Sequence, residues 1–293
     1  MTYKKYIGAT ALLLANLAVS GGAYASEVWV GTADYTAAPG SDGFEDVVGP
    51  FDTFEFSLGV NLLKITGSTV TGYFQSYLTD HKLSGVGITN DSGLSQTGAP
   101  LPITGGGYEV TVWAEYTGEI TSGTPGGAVT FTITGGTMGL DFDTSPDYSF
   151  TSDTGFKNGT NGADGATILT GTVAAGSTGS VDATGFGSSK IQLVIGAASY
   201  DPAVFEPDTI QAGTGKFVLD ILAGELGSVG SVLGESATAG AGEIKVLQSA
   251  DGYLTLATPI PAALWLFGSG LAGIAMVSRR RRETEEASSG VLV

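Results

Sequence analysis

Five stretches of this chain alternate apolar and polar residues with a period of two, the pattern of a strand with one buried face. In Tyr108–Thr117 the apolar set Tyr108, Val110, Val112, Ala114 and Tyr116 interleaves with Glu109, Thr111, Trp113, Glu115 and Thr117. That spacing predicts one face in the core and the other in water. The same rhythm runs through Phe54, Phe56, Leu58 and Val60, through Val129, Phe131 and Ile133, through Ile191, Leu193 and Ile195, and through Phe217, Leu219 and Ile221. Thr69–Leu78, Ala166–Val173 and Glu243–Gln248 are further strand candidates. Half-apolar sheets must cover one another, so the expected fold is all-β, an antiparallel β-sandwich. A β-solenoid is the alternative, but no fixed repeat of about 20 residues supports it. Ala223–Gly242 is low in bulk and predicts a long loop or a short helix.

Two segments depart from this rhythm. Lys4 and Lys5 precede the apolar run Ile7–Ala18, and Ala23-Tyr24-Ala25 supplies the small-x-small pattern of a signal-peptidase site. Residues 1–25 therefore read as a signal peptide, cleaved between Ala25 and Ser26 by signal peptidase. Near the other end, Ala262–Val277 carries no charge. As a helix it would rise about 24 Å at about 1.5 Å per residue, close to the roughly 30 Å of a hydrocarbon core. Pro261 is tolerated in a first helical turn, and Pro259 keeps the incoming chain extended. Arg279, Arg280, Arg281 and Arg282 are costly to move across a bilayer and should stay cytoplasmic, with everything before the helix outside. The expected layout is a β-rich extracellular domain over 26–250, a stalk at 251–258, a sorting signal at 259–282 containing a single C-terminal transmembrane helix at 262–277, and a cytoplasmic tail at 283–293. Gly268, Gly270 and Gly273 match the spacing of a dinucleotide-binding fingerprint. They lie inside the apolar helix rather than after a strand, where small residues favour close helix approach.

The order Pro259-Ile260-Pro261-Ala262, apolar helix, arginine cluster closely resembles the PEP-CTERM sorting signal of Gram-negative bacteria, in its Pro-Ile-Pro-Ala variant. The resemblance implies recognition by an exosortase, a membrane-embedded transpeptidase-like protease. It also implies export across the inner membrane, a transient anchor, and release to the cell surface or the exopolysaccharide matrix. Within the ectodomain, Thr71–Leu83 and Asp143–Val173 resemble the flocculation-associated group of these proteins. That likeness implies a role in floc or biofilm formation and carries no catalytic residue with it.

Between the two addresses stand six lysines and 26 acidic residues, a net charge of −20 with no arginine. Such a surface repels phosphate backbones, so nucleic acid is excluded as a partner; extracellular polysaccharide and divalent ions suit it better. The chain has no cysteine, which a domain of this size does not need for stability. With one histidine and no thiol, an ordinary zinc site cannot be assembled. His81, in Thr79-Asp80-His81-Lys82, reads as a solvated loop residue rather than a triad base. Glu109 and Glu115 share a strand face and read as solvated rather than as a glycosidase pair. On that face Trp113, with Tyr73 elsewhere, is a candidate for stacking on sugar rings. Asp141, Asp143 and Asp147 place carboxylates at alternate positions, with Ser145 between and Asn158, Asn161 and Asp164 following, and offer a calcium site without a completed EF-hand pattern. No cofactor beyond that calcium is implied, and no catalytic residues are assigned. The expected function is a non-enzymatic matrix protein, with a carbohydrate-binding adhesin and then a secreted hydrolase as alternatives.

Overall fold

A computed structural model describes residues 26–96, 107–158, 165–182, 190–210, 215–222, 229–259 and Leu271. The signal peptide, Ile260, Pro261 and Ala262, the helix expected at 262–277 apart from Leu271, and Arg279–Arg282 lie outside the described residues. Among the described residues no helix is long and apolar enough to cross a membrane.

Val28–Thr258 forms one compact unit. Eight long strands build it: β1 (Thr53–Thr66), β2 (Thr69–Leu83), β3 (Glu109–Gly123), β4 (Val129–Asp143), β5 (Ala166–Ala174), β6 (Lys190–Tyr200), β7 (Gly215–Leu222) and β8 (Glu243–Thr255). Each covers one of the five alternating stretches or one of the three further candidates, apart from Tyr108 just before β3, so the all-β antiparallel expectation holds for the described residues. Every strand pairs antiparallel with its neighbours in sequence, and β8 returns to pair with β1 over its whole length. The strands that a sandwich would divide between two sheets are thus joined round a closed ring, and opposite walls of one sheet face each other across the core. A ring has no long unpaired edge, which answers the liability of exposed strands directly. Thr178–Val181 carries the line of β5 onward along the first half of β4.

The inward-facing residues described are mostly apolar. Phe56, Leu63, Val70, Phe74, Val112, Phe131, Leu140, Phe217 and Leu254 belong to one buried cluster. A polar chain crosses it: the Tyr116 hydroxyl donates to Asn61 Oδ1 at 3.1 Å, and Asn61 Nδ2 donates to Gln248 Oε1 at 3.1 Å. Tyr116 can reach inward because Gly72 stands opposite it on β2 and the phenol ring lies over the space a Cβ would take.

One end of the barrel is closed by a small sheet of Gly31–Asp34, Val47–Phe51 and Phe205–Glu206. It drives Trp29, Tyr35, Phe51 and Phe205 into the core, each with no exposed surface. His81 sits among them and is wholly buried, contrary to the solvated loop position expected of it. A register shift between Glu55 and Phe56 changes the phase of β2, so His81 pairs with inward-facing Phe54. Its Nε2 lies 2.8 Å from the Tyr35 hydroxyl and its Nδ1 3.3 Å from Asp91 Oδ2.

Residues 251–258 are not a stalk. Asp251–Thr255 completes the strand that closes the barrel, pairing with β7 on one side and, for Gly252–Thr255, with β1 on the other. Ala257–Pro259 follows as a further short strand. The Trp29 N–H donates to the Leu256 carbonyl at 2.9 Å, so the two ends of the unit run side by side.

Candidate functional site

On β3 the row expected to face water is buried for its first three members: Glu109 is 1% exposed, Thr111 2% and Trp113 8%. Only Glu115 and Thr117 reach solvent. The cover comes from the segment after β4, which folds back across the outer wall. Tyr148 stacks on Tyr77 with ring centroids 4.5 Å apart, and Phe150 and Phe156 pack beside it. Thr111 Oγ1 donates to the Phe156 carbonyl at 3.2 Å.

Trp113 is therefore not an open platform for a sugar. Its indole N–H donates to Asp141 Oδ2 at 3.1 Å, the Lys157 ammonium stands 4.2 Å from its ring centroid, and Gly139 opposite leaves room for the ring. A Cβ at Gly139 would come within 2.7 Å of the indole. Tyr73 is half-buried, packed on the small apolar cluster of Val60, Leu62 and Val232, with Lys64 5.6 Å from its ring.

The hairpin Ser231–Val232/Glu235–Ser236 is the second cover of this wall and occupies part of the region read as loop or short helix. Asp153, in a left-handed conformation at φ 53°, accepts from the Leu233 N–H at 3.0 Å and the Gly234 N–H at 2.8 Å. Gln75 Oε1 accepts from the same Leu233 N–H at 2.9 Å. Glu235 bridges Lys64 at 3.2 Å and Lys245 at 2.6 Å. Those lysines hold the Glu235 carboxyl below its usual range. Alanine at Asp153 is expected to loosen the hairpin locally, since hydrogen bonds to a carboxylate contribute about 1.5–3 kcal/mol. Hydrogen exchange at residues 231–236 should speed by about tenfold or more while the barrel core keeps its protection.

The acidic cluster differs from the one expected. Asp141 Oδ2 is committed elsewhere, accepting from the Trp113 indole and, at 2.6 Å, from the Asn158 N–H. Burial raises its carboxyl pKa, while those donors and Lys157 oppose the rise. Glu109 takes its place beside Asp143 and Asp147, the three offering carboxylate oxygens that all lie within 4.8 Å of one another. Glu109 Oε2 accepts from the Asp147 N–H at 3.0 Å and the Tyr148 N–H at 3.3 Å. Burial pushes the Glu109 carboxyl up to about 8, and the charges of Asp143 and Asp147 add to the push against these two donors. The signal in the sequence is register: a β4 that runs on past Ile133 brings Asp143 opposite Glu109. Compared with known proteins, the chain matches no family profile, no curated protein and no solved structure.

Proposed function

We propose that this is an exported, exosortase-processed protein of the cell surface or extracellular matrix, without enzymatic activity, associated with exopolysaccharide in flocs or biofilm. The observation that carries this reading is the order Pro259-Ile260-Pro261-Ala262, uncharged Ala262–Val277, Arg279–Arg282. The barrel is compatible with it. Its inside is filled by side chains, and Lys64, Lys82, Lys157 and Lys245 are each engaged by a glutamate, which leaves a strongly acidic skin. A surface of that sign favours divalent ions and neutral polymers over phosphate-bearing partners.

The test is processing in a host that encodes an exosortase. Wild-type chain should lose the arginine-bearing tail and appear outside the cell. Pro261→Ala combined with Ala262→Val should accumulate in the membrane with the tail attached, detected by mass spectrometry of the C-terminal peptide. Equal release of the variant overturns exosortase handling. Flocs unchanged after deletion of the whole chain, with polysaccharide still secreted, overturn the matrix role.

A further inference from the structure

We propose that Glu109, Asp143 and Asp147 form a divalent-cation site, calcium in preference to magnesium, that fastens the segment after β4 to the outer wall of the barrel. The three carboxylate oxygens fall within 4.8 Å of one another. A calcium ion about 2.4 Å from each oxygen spans separations up to about 4.8 Å, the width of its own coordination shell. Magnesium dehydrates reluctantly and usually takes one or two protein carboxylates with several waters, so a site of three carboxylates suits calcium better.

Glu109 carries the argument. It is 1% exposed, and its Oε1 is buried without a hydrogen-bond partner among the described residues. A buried carboxyl oxygen without a partner is costly, and a cation held by Glu109 would supply one. The register adds to this, because Glu109 and Asp143 stand directly opposite on β3 and β4, where like charges destabilise a pair.

The same geometry couples the ion to the covering segment. Asp147 donates its N–H to Glu109 Oε2 and also supplies the third carboxylate, so the residue held by Glu109 is itself a ligand. Asp143 shapes the turn that follows β4 by accepting from the Ser145 N–H at 2.7 Å. Water can reach the ion to complete its shell: Asp147 is exposed, and Asp143 lines an open cleft of about 370 Å³ with Pro39, Gly40 and Ser145. The site does not depend on the matrix reading, since cleavage at Pro259–Ala262 involves none of these residues.

The test uses the full chain in detergent, stripped with chelator and titrated with calcium or magnesium chloride, read by calorimetry and thermal melting. Calcium is expected to raise the melting temperature by about 5 °C or more and to slow exchange across residues 144–158. Magnesium at equal concentration should do much less. Glu109→Gln keeps the acceptor for Asp147 and Tyr148 but removes the charge, and should weaken calcium binding at least about tenfold. Asp147→Asn, at an exposed position, should do the same and serves if the Glu109 variant does not fold. Glu115→Gln, on the same wall but paired with Lys157, should leave calcium binding intact. No calcium-dependent shift in the wild type, or an equal shift in Asp147→Asn, overturns the site.

Discussion

Alanine in place of His81 is expected to destabilise the barrel by about 3–5 kcal/mol, measured as a lower midpoint in urea with an unchanged slope. The imidazole has no exposed surface and is ringed by Phe51, Phe54 and Tyr35 at centroid distances of 4.7, 5.6 and 5.8 Å. Truncation opens a cavity among these rings and strips the Tyr35 hydroxyl, equally buried, of its partner. The two contributions separate in a cycle: His81→Phe restores volume but not the hydrogen bond, and adding Tyr35→Phe should recover about 1–2 kcal/mol of the remaining loss. A solvated histidine would change stability by no more than about 0.5 kcal/mol, and a result that small would refute the buried arrangement.

Trp113→Ala should cost a similar amount, about 3–5 kcal/mol. The indole fills the space over Gly139, donates to Asp141 and lies under Lys157, so its loss opens a cavity there and leaves Asp141 buried without that donor. Phenylalanine keeps much of the packing but not the N–H, and should fall between alanine and wild type. An exposed sugar platform predicts the opposite outcome: lost polysaccharide binding with stability within about 0.5 kcal/mol of wild type. Melting curves and polysaccharide pull-downs on the same variant decide between the two.

The barrel strands were legible where an inward row is apolar with a period of two, as in Val110, Val112, Ala114 and Tyr116. Their ends were harder to see where the phase changes. In β8 the Asp251-Gly252 step resembles a turn, yet it is a register shift inside a strand, with Gly252 leaving space for the Phe217 and Phe74 rings. In β2 the shift before His81 turns a polar stretch inward. Closure of the ring left no local mark, because β1 and β8 meet through residues such as Asn61 and Gln248 that are 187 positions apart. The burial of Glu109 was hidden for the same reason. Its own strand makes it look solvated, and the segment that covers it, Asp147 and Tyr148, is 38 and 39 residues away.

The pairing of the last barrel strand with the first also fixes a schedule for biosynthesis. Until Glu243–Thr255 has left the ribosome, β1 and β7 both present open edges, and neither can be satisfied by any earlier part of the ring. Such edges template association between nascent chains, and contacts of this sequence separation form slowly. A chain ending short of Glu243 would present a pair of adhesive edges rather than a smaller barrel.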